Sequence, residues 1–209
     1  MKSPFLLFAN AMIYKSLVVL FGLLFLQPAN AQKVTPIARA GFGISDWKLS
    51  EGSDVKTGVL PALHLGIFAE VNLEKTFFVE AGLEYSNAGA ELKWDEYDSP
   101  NYSLGYLNLP VYGKVRLDNG LSFYAGPKAG FLLNAQEKEE YGSKRDVKAA
   151  FKSADFSLVY GVTYQLYNGI EVGLQLTNGL VNIYKDGDTQ VRNNGISIHA
   201  GYIIPVPKA

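Results

Sequence analysis

The chain has 209 residues, of which 48% are hydrophobic and 21 are glycine, and its formal net charge at pH 7 is −1. A near-neutral charge offers no basic excess for binding nucleic acid. The absence of cysteine excludes disulfides, thiolate catalysis and cysteine metal sites. A chain of this length is sufficient for one domain.

The N-terminal region has the pattern of a secretory signal. The apolar run from Ser16 to Leu26 is followed by the small-x-small pattern of a signal-peptidase site at Ala29 and Ala31. This run is shorter than the ~20 apolar residues that a membrane-spanning helix requires. We therefore predict a cleaved signal peptide over residues 1–31, with Met12 as an alternative start of the chain.

Two-residue alternation of apolar and polar residues predicts that the rest of the chain, residues 32–209, is a single all-β domain. No stretch of it has a sustained helical period. Eight strands are predicted, namely Val34 to Trp47, Val59 to Leu73, Thr76 to Ala88, Tyr102 to Leu117, Leu121 to Asn134, Ala154 to Leu166, Ile170 to Tyr184, and Gly195 to Val206.

Short and long connections alternate between these strands. The short ones are Asn72 to Lys75, Asp118 to Gly120, and Tyr167 to Gly169. The long polar ones begin at Lys48, Trp94, Ala135 and Lys185. Alternation of this kind is typical of outer-membrane barrels, which have short periplasmic turns and longer outer loops.

Each predicted strand has one apolar face. On the strand that ends before Gly120, for example, this face holds Leu107, Leu109, Val111 and Val115. The opposite face of the strands combines glycine with charged and polar residues. In a soluble lipocalin-like barrel the apolar face would line a ligand pocket, whereas in a membrane barrel it would contact lipid and the polar face would fill the lumen.

Glycine favours the membrane barrel. A water-facing surface has no need of many residues without side chains, and glycines inside a strand weaken it. The lumen of a narrow barrel, in contrast, requires small residues beside large ones. We predict an eight-stranded antiparallel up-and-down transmembrane β-barrel, with aromatic girdles at its strand ends that include Trp47, Phe77 and Tyr202.

The charged and histidine residues of the inward face are predicted to form a polar network inside the lumen. They are Arg39, His64, Glu70, Glu80, Glu84, Lys114, Arg116, Lys128, Glu171 and His199. Enclosed charges must find partners, so Lys114 or Arg116 is expected to pair with Glu80, Glu84 or Glu171. Such pairs would close a lumen that eight strands already make narrow.

Several stretches resemble the PorT-like group of small bacterial outer-membrane β-barrel proteins. They are FFVEAGLEYSNAGAEL from Phe77, YLNLPVYGKVRL from Tyr106, FYAGPKAGFLLNAQ from Phe123, and the strands that contain ADFSLVYGVTYQL, IEVGLQLTNGLVNI and NNGISIHAGYII. The resemblance implies a barrel in the outer membrane but no single activity, because some members are tied to protein secretion. The chain departs from many barrels by ending in YIIPVPKA rather than on an aromatic residue.

An enzymatic alternative remains open at the level of sequence. Some small outer-membrane barrels modify lipid A with serine, histidine and an acid, and Ser197, His199 and Glu171 share the inward face here. We expect these residues to belong to the lumen network instead.

No cofactor motif is present, and no metal site is expected. Acidic clusters at 95–98 and 186–188 lack the spacing of a calcium loop. The expected partners are outer-membrane lipid and another cell-envelope protein, which would contact the outer loops, above all the charged loop from Ala135.

Overall fold

A computed structural model describes residues 34–50, 56–93, 100–138, 143–185 and 189–205. The predicted signal peptide and both acidic loop clusters lie outside the described residues.

The described chain folds almost entirely into β-strands. The strands are β1 (Val34–Leu49), β2 (Lys56–Gly58), β3 (Leu60–Glu74), β4 (Phe77–Lys93), β5 (Asn101–Arg116), β6 (Leu121–Lys138), β7 (Lys144–Asp146), β8 (Ala154–Gln165), β9 (Ile170–Gly179) and β10 (Val191–Ile203). A single 3₁₀ turn, Lys148–Ala150, lies between β7 and β8. No helix in the described part of the chain is long and apolar enough to cross a membrane.

Eight long strands close into a barrel. Each pairs antiparallel with its neighbours in the ring β1, β3, β4, β5, β6, β8, β9, β10, and β10 returns to β1 with Ile37 opposite Ile203. The short strands β2 and β7 add to β4 and β6 at the end of the barrel that carries the long loops. The predicted eight-stranded up-and-down barrel is confirmed.

Glycine allows the backbone to form two of the tight turns. Gly120 and Gly169 adopt φ angles of +87° and +81°, which glycine accepts without the steric cost that a side chain would bring. Their backbones close the β5–β6 and β8–β9 hairpins, with Leu117 N donating to Leu121 O and Leu166 N donating to Ile170 O. These two turns lie at the same end of the barrel as the tight turn between β3 and β4.

Strand boundaries differ from the prediction at the loop end. The β4–β5 hairpin continues to Lys93 and Asn101. β9 ends at Gly179 rather than Tyr184, because the following segment turns inward and buries Ile183 completely. β10 begins at Val191, four residues before its predicted start, since the polar residues there still pair with β1.

The apolar face points away from the lumen. Side chains more than 40% exposed include Phe42, Leu63, Leu65, Ile67, Phe77, Leu83, Tyr85, Leu109, Phe123, Phe131, Phe156, Leu158, Val172, Ile198 and Tyr202. The charged residues between them are buried inside. The soluble lipocalin-like alternative is wrong, because an apolar exterior around a polar interior matches lipid rather than water as the surrounding solvent.

Candidate functional site

A charged cluster crosses the lumen on the side of the tight turns. Arg39 on β1 donates from Nη1 and Nη2 to the two carboxylate oxygens of Glu80 on β4, at 2.8 and 3.1 Å. The same guanidinium donates from Nε and Nη2 to Glu171 Oε1 on β9, at 3.1 and 2.5 Å. Arg39 thus connects β1 to β4 in one direction around the barrel and to β9 in the other.

Lys114 and Arg116 extend this cluster from β5. Lys114 Nζ lies 2.8 Å from Glu70 Oε2, 3.3 Å from Glu80 Oε2 and 3.4 Å from Glu171 Oε2. Arg116 Nη2 donates to both oxygens of Glu70, at 2.9 and 2.7 Å. The predicted pairing of Lys114 with Glu80 or Glu171 matches these contacts.

Arg116 pairs with a carboxylate that was not among the three expected partners. Its carboxylate is Glu70, since both side chains lie nearest the tight turns, whereas Glu84 is too far towards the loop end to reach it. The cluster contains three cations and three carboxylates, namely Arg39, Lys114, Arg116, Glu70, Glu80 and Glu171. Every charge in it has an opposite partner, which buried ions require.

Aromatic side chains fill the space beside these charges. The guanidinium carbon of Arg39 lies 4.4 Å from the centre of the Phe68 ring, and Phe68 stacks on Tyr112 at 6.5 Å. Tyr112 contacts Tyr124 at 5.1 Å, and both are buried. The charge-based sequence prediction did not include these rings, although each shares the parity of a predicted inward charge on its own strand.

A second polar group lies above the cluster, towards the loop end. His64 Nδ1 is 3.4 Å from Glu84 Oε2, and Lys128 Nζ is 3.7 Å from Glu84 Oε1. The His64 and His199 rings are 6.2 Å apart. The remaining members of the predicted network therefore lie together as well, separate from the six-residue charged cluster.

Glycines make room for the two histidines. A Cβ added to Gly41 would lie 2.0 Å from His64 Nε2, and one added to Gly173 would lie 2.5 Å from His199 Nε2. A real Cβ atom essentially never comes within 3.0 Å of a non-bonded heavy atom. The large and small residues of neighbouring strands thus alternate across the lumen, as a narrow barrel requires.

Ser197, His199 and Glu171 do not form a catalytic arrangement. Neither imidazole nitrogen of His199 has a hydrogen-bond partner within the described residues, so Ser197 does not contact its base. Glu171 instead interacts with Arg39 and Lys114. A nucleophile and its base require hydrogen-bond contact.

An apolar cluster lies at the loop end of the barrel interior. Its buried members are Trp47, Ala90, Leu104, Tyr106, Leu132, Ala135, Phe151, Ile183 and Val191. Trp47 Nε1 donates to Asn193 Oδ1 at 3.0 Å, and Asn193 Nδ2 donates to Asp155 Oδ2 at 2.9 Å. The polar middle of the lumen is therefore separated from the loops by packed side chains.

Trp47 is not part of an outer girdle, and that prediction was wrong. Its ring is only 4% exposed and packs on Tyr102 and Phe151, with ring centres 5.3 and 5.7 Å away. Arg39 and Trp47 both occupy odd-numbered positions of β1, so their side chains face the same side of the strand, the lumen. The girdle prediction relied on the position of Trp47 at a strand end and did not use this alternation. Phe77 and Tyr202 do lie on the exterior, at 51% and 48% exposure.

A cavity of about 290 Å³ lies beside these rings, among the bases of the long loops. Its edge holds Glu137, which accepts a hydrogen bond from Tyr102 Oη at 2.5 Å and another from Arg145 Nε at 2.9 Å. These contacts attach the described part of the loop from Ala135 to the barrel mouth. No group of described residues has the composition of a metal site.

Comparison with known proteins points to one protein family. Residues 30–185 match the family described as outer membrane protein beta-barrel domain. No curated protein has a significantly similar sequence.

Several solved structures are similar to this chain. The crystal structure of Neisserial surface protein A superposes with a TM-score of 0.58 at 12% identity, over 83% of this chain and all of that one (100%). Ail of Yersinia pestis, crystallised with the heparin analogue sucrose octasulfate, gives a TM-score of 0.45 at 14% identity, over 81% of this chain and 99% of Ail. OprG of Pseudomonas aeruginosa gives 0.44 at 16% identity, over 84% and 98% of the two chains.

Proposed function

Because the chain belongs to the outer membrane protein β-barrel domain family, we propose that it acts in the outer membrane as a non-enzymatic barrel with a plugged lumen. In this proposal the barrel is a scaffold, and its outer loops contact another component of the cell envelope. The chain is an integral protein of the outer membrane, with an apolar exterior that faces lipid.

The six-residue charged cluster carries the proposal of a plugged lumen. Arg39, Lys114, Glu80 and Glu171 are each no more than 2% exposed. Charges that line a water-filled pore would be hydrated and accessible, whereas these contact one another and adjacent rings. Burial and mutual pairing of this kind support a solid interior, which is the usual state of an eight-stranded barrel.

The outer loops support the interaction role. All long connections leave from one end of a rigid barrel, and binding residues are commonly carried by loops on such scaffolds. Lys144, Lys148 and Lys185 are exposed there. Lys148 Nζ and Lys185 Nζ donate to the backbone oxygens of Leu133 and Ala149, at 2.7 and 2.9 Å. These contacts restrain the loop bases and favour a surface of defined shape.

Within the family, we assign the chain to the PorT-like group on the sequence stretches that resemble it. This assignment predicts no common activity, so it is compatible with a structural or interaction role. The proposed role is non-enzymatic, because among the described residues neither ring nitrogen of His199, the histidine that would act as base, has a hydrogen-bond partner.

Site-specific cross-linking in intact cells tests the interaction role. A photoreactive residue replaces Lys144 on the outer loops, and the matched control replaces Tyr167, which is fully exposed in a tight turn at the opposite end. We expect Lys144 to give a discrete cross-linked product with an envelope component that Tyr167 does not give. Identical products from both positions, or none from Lys144, would contradict the proposal.

A further inference from the structure

At the loop end of the barrel exterior there are two pairs of cations, and the two members of each pair lie directly opposite each other on neighbouring strands. Lys48 on β1 is directly opposite Arg192 on β10. Lys56 on β2 is directly opposite Lys93 on β4. Directly opposed side chains have Cβ atoms ~4.5 to 5.5 Å apart, and like charges in this position destabilise a sheet. Cations in such an arrangement repel one another, and an anion bound between them would relieve that repulsion.

The strand register shows that Lys48 and Arg192 point outward. The preceding pair on the ladder, Trp47 and Asn193, is buried and hydrogen-bonded inside the lumen. Since alternate residues face opposite sides of a strand, the next pair must lie on the exterior. Ile44 and its partner Ile196, four positions nearer the tight turns, are 41% and 39% exposed on the same face.

The height of this pair matches lipid headgroups. Four residues of a strand span ~13 Å, and a barrel strand is tilted by ~35 to 45°. The cations therefore lie about 10 Å beyond the last outward isoleucines. If the hydrocarbon ends with this outward apolar band, the pair lies at the level of the lipid headgroups, which long basic side chains reach readily.

In the part of the chain that the structure describes, nearby carboxylates neutralise the four cations only in part. Glu91 Oε2 is 3.5 Å from Lys93 Nζ. Asp46, which lies between Ile44 and Lys48 on the outer face, accepts a hydrogen bond from the backbone of Trp47. Arg192 donates to the neutral Gln190 at 2.8 Å. Among the described residues, neither Lys48 nor Arg192 forms an ion pair.

The geometry points to a site for the phosphate headgroup of an outer-leaflet lipid. We name Lys48 and Arg192 the rim patch. A phosphate between the opposed cations would accept charge-assisted hydrogen bonds from both and remove their repulsion. The occupant is a membrane lipid rather than a soluble anion, because the rim patch borders the apolar exterior of β1 and β10.

Native mass spectrometry of the full mature barrel in detergent tests this site with a defined probe. The probe is diphosphorylated lipid A, and the comparison lipid is the same molecule without its phosphates. We expect wild-type protein to retain the phosphorylated form preferentially. The double variant Lys48→Gln/Arg192→Gln should bind it roughly thirtyfold more weakly, because each cation near a lipid surface contributes to binding. Equal retention of both lipids by wild-type protein would overturn the proposal.

Two further variants separate the site from general charge and from misfolding. Lys75→Gln removes a cation from a tight turn at the opposite end and should leave retention unchanged. Lys48→Glu places an opposite charge beside Arg192, so it should keep the barrel folded, as judged by heat-modifiable gel mobility, while losing lipid retention. Full retention by folded Lys48→Glu protein would contradict the proposal. Tighter binding of a soluble sulfated polysaccharide that depends on Lys48 and Arg192 would also contradict it.

Discussion

Arg39 and Glu80 form a two-point ion pair inside the barrel, although β3 lies between their strands. The guanidinium donates to both carboxylate oxygens, at 2.8 and 3.1 Å. Because the same arginine also binds Glu171 on the opposite side, it links three non-adjacent strands. In the proposed plugged barrel, the contacts that would close the lumen are therefore the same contacts that connect these strands across the interior.

Removing one of these carboxylate charges should destabilise the barrel. Glu80→Gln leaves Arg39 and Lys114 with one carboxylate fewer, and breaking a buried ion pair typically costs about 3–5 kcal/mol. We expect a loss of this size in the free energy of unfolding, measured by urea titration in lipid vesicles.

The matched control is Glu74→Gln, which makes the same chemical change at an exposed position at the end of β3. It should change the unfolding free energy by less than about 0.5 kcal/mol. If both variants were equally stable, the charged cluster would not be a stabilising element of the lumen.

Two glycines on neighbouring strands should respond differently to the same substitution. A Cβ at Gly126 on β6 would lie 2.0 Å from the backbone oxygen of Val111, whereas a Cβ at Gly113 on β5 would meet only Ala125 O at 3.9 Å. Gly126→Ala should therefore destabilise the barrel by about 1–3 kcal/mol, and Gly113→Ala should be close to neutral. Comparison of their unfolding midpoints in vesicles checks this, and the reverse order would contradict the described packing.

Trp47 should be protected from lipid. In a Trp94→Phe background its fluorescence reports on a single ring, which lies inside the barrel mouth and is only 4% exposed. We expect weak quenching by brominated lipids. As a control, Phe42→Trp in a background without other tryptophans places the ring on the exterior, where Phe42 is 53% exposed, and strong quenching is expected. Equally strong quenching of Trp47 would show that its ring contacts lipid, as a girdle residue does, and would contradict this prediction.

The barrel and its orientation could be predicted from the sequence because two-residue periodicity is a strong local signal. On β3, for example, Ile67 occupies an odd-numbered position and Glu70 an even-numbered one. This difference alone places Ile67 on the exterior and Glu70 in the lumen. Boundaries at the loop end could not be predicted. Ile183 leaves β9 and enters the apolar cluster, and this depends on packing between distant segments rather than on local alternation.

The residues of the lumen network could be predicted from their charge and from their alternating positions along the strands, whereas the contacts between them could not. Which carboxylate meets Arg116 depends on the stagger between strands, and a sequence without known pairings does not give that stagger. The aromatic rings in the lumen were not predicted because Phe68 and Tyr112 look like ordinary apolar residues. Their parity, shared with His64 and Lys114, is the signal that identifies them.

Electrical recording of the purified barrel in planar bilayers tests the plugged lumen most directly. Since Arg39, Lys114, Glu80 and Glu171 pair with one another and are almost fully buried, wild-type protein should insert without producing stable conductance steps above background. Reproducible, long-lived steps from wild-type protein would show a continuous water path past the charged cluster and would contradict the account.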